Sequence, residues 1–141
     1  MPKYYHIHRG ITHSDIEKKF IKNKPLFFSK KNSGWYNIEK EISKDYNGYR
    51  IYEIYIPNNR YTLSFNPITV GKIVKITTDN INEYIQLIKK GNFIEEMKKR
   101  NIIGIDATIE HKDAYITGPP EGYIWQKPID IKIKLIEIIK L

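Results

Sequence analysis

The sequence predicts an α+β fold, with mixed, mostly antiparallel β-sheets and three or four short helices. Three observations predict it. Runs rich in isoleucine and tyrosine, such as "YRIYEIYI" at 49–56, have strand composition. One segment repeats apolar residues at Ile81, Tyr84, Ile85 and Ile88, the i, i+3, i+4, i+7 spacing of a helix. Helical segments fall in the first half and the middle, and strand-like runs dominate the rest. No internal repeat, low-complexity linker or shift in composition divides the chain, so 1–141 reads as a single domain.

The elements follow in order. Tyr4 to His8 is apolar and β-prone, a first strand. Ser14-Asp15-Ile16-Glu17 has the form of a capping box, and Ile16 and Phe20 give the short helix behind it one apolar side. Pro25 ends that helix. "PLFFS" is a core strand, and after Gly34 a helix runs from about Trp35 to Tyr46 on Trp35, Ile38, Ile42 and Tyr46. Tyr49 to Ile56 is the next strand. Pro57-Asn58-Asn59 turns the chain, and "RYTLSF" reads as its hairpin partner. "KIVKIT" is a strand. Asp79 caps the helix of 80–90, Gly91-Asn92 breaks it, and "FIEEMKKR" resumes helix. Strands at "IIGIDATI", "AYITG" and "IDIKIKL" complete the chain, with "GPPEGYIWQKP" as an irregular loop before the last. In that last strand Ile131, Ile133 and Leu135 alternate with Asp130, Lys132 and Lys134, the pattern of one wet face.

Composition limits the chemistry. The chain has no cysteine, which excludes disulfides, thiol catalysis and cysteine-ligated metal sites. No apolar h-region opens it and no apolar run is long enough to span a bilayer. The expectation is a soluble protein of the cytoplasm without a membrane partner. The net charge of +8 attracts polyanions. Yet 28 isoleucines, 20 lysines and 11 asparagines stand against 4 arginines and 2 alanines, the preferences of AT-rich codons. A low-GC bacterium or a virus would write lysine for its own reasons, so the charge alone does not establish a nucleic-acid partner.

Among motifs, His6 and His8 share a face of a strand and could supply half of a metal site. A third ligand would have to come from His13, His111 or Asp106, and no spacing supports one; no metal is expected. No G-x-S-x-G elbow, Walker loop, G-x-G-x-x-G turn or RNA-recognition aromatic signature is present. What remains is an ordered set. Arg9-Gly10 closes the first strand, Phe27-Phe28-Ser29 closes the second, and a helix bearing Trp35 and Tyr36 follows.

The segments "YHIHRG", "PLFFSKKNSGWYNIEKEI", "YRIYEIYIP", "IIGIDATI" and "PEGYIW" in this order resemble the ADP-ribosyltransferase fold. That family includes bacterial mono-ADP-ribosylating toxins and tRNA 2′-phosphotransferases. In it an opening strand ends in Arg-Gly or His-Gly, a second ends in an aromatic–Ser or aromatic–Thr step, and a late element supplies an acid. The resemblance implies an enzyme that takes NAD as substrate and transfers ADP-ribose to a protein or nucleic acid. It implies Arg9, Ser29 and Glu121 as catalytic residues. His8, Arg9, Gly10, Phe28, Ser29 and Tyr36 would contact NAD, with Tyr36 or Trp35 stacking on the nicotinamide. Arg9 offers a planar fork to phosphate, and Gly10 permits close backbone approach. A late carboxylate would stabilise the oxocarbenium-like state as the glycosidic bond breaks. His8 stands as an alternative to Arg9, and Glu110 and Glu53 as alternatives to Glu121. Two other readings stand beside the enzyme: a small basic nucleic-acid-binding module, and an interaction domain that keeps the fold without activity.

Overall fold

A computed structural model of the chain describes residues 3–11, 16, 24–67, 70–109 and 121–141. Among these, eight strands form one mixed sheet: β1 (Tyr4–Arg9), β2 (Leu26–Lys30), β3 (Gly48–Tyr55), β4 (Tyr61–Thr62), β5 (Lys72–Lys75), β6 (Ile102–Asp106), β7 (Gly122–Ile124) and β8 (Lys132–Lys140). Three α-helices accompany them: α1 (Gly34–Ile42), α2 (Ile81–Lys89) and α3 (Phe93–Lys99). The strand order is β4-β5-β6-β7-β2-β1-β3-β8. Pairing is antiparallel except for β4–β5 and β5–β6. The sheet is therefore the α+β arrangement that the strand and helix patterns predict. No helix among the described residues is long and apolar enough to cross a membrane.

The helices pack on one face. Tyr36 of α1 is buried with Ile7, Tyr49 and Ile51 over β1 and β3. Tyr84, Ile85 and Met97, from α2 and α3, are buried with Val74, Ile102, Ile105 and Trp125 over β5 to β7. The opposite face buries Tyr4, Leu26, Phe28, Tyr52, Ile54 and Ile124. Ser33 caps α1, its hydroxyl accepting from the Tyr36 N–H at 3.2 Å. Four turns are made by asparagines in the left-handed region, Asn32, Asn47, Asn92 and Asn101, at φ between 52° and 62°.

The structure departs from the sequence patterns in four places. "RYTLSF" is not a hairpin partner of β3. Only Tyr61 and Thr62 form a strand, parallel to β5, and the neighbours of β3 are β1 and β8. At the turn before that strand, the Arg60 guanidinium binds Asp130 at 2.9–3.0 Å and the Gly71 carbonyl, just before β5, at 3.0 Å. The "GPPEGYIWQKP" loop contains β7, a central strand. It fits there because Gly122 has no Cβ; one would overlap the ring of Phe28. Asp79 does not cap α2. Asn80 precedes the helix instead, accepting from Thr77 N–H at 2.8 Å and donating to the carbonyls of Leu63 and Lys75. The last strand extends to Lys140, beyond the alternating stretch, past a register shift opposite Ile51 and Tyr52. The capping box apart from Ile16, and the "AYITG" strand, lie outside the described residues.

Candidate functional site

Register decides which side chains meet. Tyr5 lies opposite Ser29, and Phe27 lies opposite Tyr123. Side chains alternate along a strand and directly opposed residues share a face. Arg9 therefore shares the face of Tyr5, Ser29 the face of Phe27, and Glu121, two residues before Tyr123 and carried into the ladder by Ala107 N–H to Glu121 carbonyl at 3.2 Å, the same face again. Arg9, Ser29 and Glu121 all project toward the helices.

A cleft opens there because the sheet splits. β1 pairs with β3 along all of Tyr4–Arg9, but with β2 only at Tyr4–Lys30 and Tyr5–Ser29. Beyond Tyr5, the first half of β2 turns to pair with β7. The backbone left open is tied by a side chain: Nδ1 of His6 lies 2.6 Å from the Phe27 carbonyl. A carbonyl only accepts, so His6 Nδ1 donates. His6 Nε2 then faces His8 Nδ1 at 3.2 Å. The cleft has a volume of about 480 Å³ and is lined by His8, Arg9, Ser29, Trp35, Glu39 and neighbouring strand residues.

Arg9 is half-exposed at the mouth. Its Nη2 stands 3.5 Å from Glu39 Oε1, and its guanidinium carbon 5.6 Å from the centre of the Tyr46 ring. Gly10 adopts a left-handed φ of 87° with open space where a Cβ would point; its N–H donates to Gly48 and its carbonyl accepts from Arg50 Nε at 3.2 Å. The Arg9-Gly10 turn is thus anchored from behind by β3. Ser29 is buried.

Glu121 is the most perturbed carboxyl among the described residues. Burial raises its pKa to about 8, the charge of Glu39 adds to the rise, and the Trp35 indole works against it. Its Oε2 is buried and meets no hydrogen-bond partner. On the other side of Phe27 lies a second chamber of about 520 Å³, between β2–β7 and α2–α3, and Glu121 lines that chamber rather than the cleft.

The sequence-derived residues divide. Arg9, Ser29 and His8 line the cleft, and Glu121 stands by its Trp35–Glu39 wall. Phe28 does not offer its ring. The residue touches the cleft but is only 1% exposed, its ring tilted at 49° and 5.0 Å from that of Tyr4 in the core of the opposite face. Tyr36 is likewise a core residue, edge-on to Tyr5 at 6.1 Å. Helix phase turns Tyr36 inward and leaves its neighbour Trp35 on the cleft. Glu53 pairs with Lys3 at 3.8 Å and lines neither cavity, and Glu110 lies outside the described residues. Asp106 is buried, taken by Tyr4 at 2.7 Å and Thr108 at 2.7 Å. Among the described residues no three His, Asp or Glu side chains gather to hold a metal ion. The sequence reading missed Glu39, although its place four residues after Trp35 puts both on one side of a helix. It also missed Phe27, 40% exposed and shared by both cavities.

No protein-family model, curated protein or solved structure matches this chain.

Proposed function

We propose that the cleft binds NAD and that the chain is an ADP-ribosyltransferase-like enzyme acting on a protein or nucleic-acid acceptor. One observation carries the reading: the registers of β1, β2 and β7 give Arg9, Ser29 and Glu121 a common face, with Arg9 and Ser29 in the cleft at the split and Glu121 beside its Trp35 and Glu39. The resemblance read from the sequence assigns roles to the same three residues. The donor set suits a dinucleotide. Arg9 offers an anion a half-exposed guanidinium, held by a 3.5 Å contact to Glu39 and by the ring of Tyr46. Trp35 and the exposed Phe27 give aromatic surface. The unpartnered Oε2 of Glu121 is an acceptor awaiting a hydroxyl. When bound, NAD would supply a sugar carbon activated by a good leaving group. The protein's part is to orient the pyrophosphate and to place a carboxylate where positive charge develops.

Incubation with NAD and chromatographic measurement of free nicotinamide tests this. The wild type releases nicotinamide, Arg9→Ala lowers the rate by about tenfold or more, and Glu121→Ala by roughly 10²-fold. Turnover unchanged in both variants would discard the site. Absence of NAD binding by calorimetry at millimolar ligand would discard the function.

A further inference from the structure

The chamber beyond Phe27 has its own chemistry. Phe27 and Tyr123, 5.6 Å apart and tilted by 45°, stand on its sheet side. Tyr84 and Phe93, 5.5 Å apart and tilted by 71°, stand on its helix side. The hydroxyls of Tyr84 and Tyr123, 3.4 Å apart, join the two pairs. Rings set at such angles leave no slot for a flat ligand. They surround a rounded one, and the face of each ring carries partial negative charge. Two carboxyls line the chamber as well: Glu95 at the exposed rim, and Glu121, whose buried Oε2 has no hydrogen-bond partner. Ile88 and Ile94 add apolar surface. Among the described residues no lysine, arginine or histidine lines the chamber. Lys24, Lys89 and Lys90 stand one or two positions from lining residues, but they are exposed, where salt screens them.

We propose that this chamber binds an organic ammonium ion, one that carries alkyl groups and keeps an N–H. The N–H donates to Glu121 Oε2, and the alkyl groups, which share the positive charge, lie against the tilted rings. A primary ammonium brings three donors and would leave some of them unpaired against the rings. A quaternary ammonium has no donor and would leave Oε2 as it is. A neutral guest of the same shape fills the space but offers no charge to the rings or to the carboxylate. The raised pKa of Glu121 agrees with a buried carboxyl that lacks a counter-charge. Glu39 of α1 adds to the rise, and Tyr84, Glu95 and Tyr123 share the chamber from α2, α3 and β7. The carboxyl must ionise to pair with the cation, so below about pH 8 binding releases a proton. The proposal concerns binding alone and requires no NAD turnover.

Calorimetric titration of the full chain with dimethylaminoethanol, against its uncharged carbon isostere isoamyl alcohol, tests it. Near pH 8 the protonated amine binds roughly tenfold tighter than the alcohol. Its advantage shrinks as the pH falls from about 8 to about 6 and Glu121 takes up its proton, while the affinity of the alcohol stays level. Glu121→Gln brings the amine down to the alcohol and abolishes the pH dependence. Phe27→Leu, at a ring 40% exposed and therefore tolerant of change, weakens the amine by about fivefold and leaves the alcohol unaltered. A peptide bearing dimethyllysine, run beside the free amine, distinguishes a protein side chain from a small metabolite: the tighter of the two is the natural class. Equal affinity for amine and alcohol, an unaltered amine affinity in Glu121→Gln, or no saturable binding of amine or peptide at about 10 mM ligand would each overturn the proposal. Arg9→Ala lowers nicotinamide release and leaves amine affinity unchanged, so this proposal and the NAD reading fail separately.

Discussion

The two edges of β1 are treated differently. On the β3 side, all six residues from Tyr4 to Arg9 are in register with Tyr49–Ile54. On the β2 side, pairing stops after Tyr5, and one imidazole replaces the ladder. The paired edge fixes where Arg9 and Gly10 end up; the open edge makes room for something beside them. A cleft needs both, because a strand loose on each side would hold no side chain in place. The same contrast holds across the sheet. Around β6 and β7, Trp125 is 1% exposed, and its indole donates to the Ile102 carbonyl at 3.0 Å. That closed region anchors Glu121 through the Ala107 N–H, which donates to the Glu121 carbonyl at 3.2 Å.

The comparison can be broken from the closed side first. Trp125→Ala should cost about 3–5 kcal/mol in urea unfolding, from cavity formation and from leaving the Ile102 carbonyl without its donor. A loss below about 1 kcal/mol would mean that β6–β7 is not the rigid side. The open edge should give less. His6→Leu leaves the Phe27 carbonyl unpaired, at about 1–3 kcal/mol. Hydrogen exchange should quicken in β2 more than in β3, and equal changes in both strands would deny His6 its role as the tie.

The smallest effect is on Glu121 and depends on pH. Its pKa rises from 4.5 to about 8 on folding, so between those values the native state holds the extra proton. Stability from this group is full below about pH 4.5 and is lost as pH rises through about 8. Glu121→Gln keeps the neutral form at every pH. It should match the wild type near pH 4 and exceed it near pH 9 by about 1–2 kcal/mol, after allowance for solvent reaching the group. Thermal melts across that range check the sign, and a variant that gained nothing at high pH would contradict it.

Much of the scaffold was legible because single elements carry their own patterns. The β-rich Tyr49–Ile56 run and the spacing of Ile81, Tyr84, Ile85 and Ile88 mark β3 and α2 without help from neighbours. β7 was not legible. Three residues, paired on both sides, are too few to show a period, and glycines beside a Pro-Pro step signal a loop. The Tyr61–Thr62 strand was misread for a related reason. Its partner is Ile73–Val74 of β5, and the contacts of Arg60 beside it, to Gly71 and to Asp130 seventy positions on, leave no local pattern. In the site, Arg9, Ser29 and Glu121 were named from the order of motifs, but their common face depends on the parity of three registers. Of the two rings offered for stacking, Trp35 lines the cleft and Tyr36 is core; Phe28 lines the cleft with its side chain buried, while its neighbour Phe27 is exposed.

The asparagines at left-handed turns bear on the composition itself. Every described non-glycine residue at positive φ is an asparagine. Asparagine tolerates that region better than other side chains, and glycine tolerates it at no steric cost. Glycine codons begin with two guanines, whereas asparagine codons begin with two adenines. A genome short of guanine can therefore still write tight turns by spelling them with asparagine. At Asn32, Asn47, Asn92 and Asn101, what looks like a mutational accent is also the stereochemistry that lets the chain reverse.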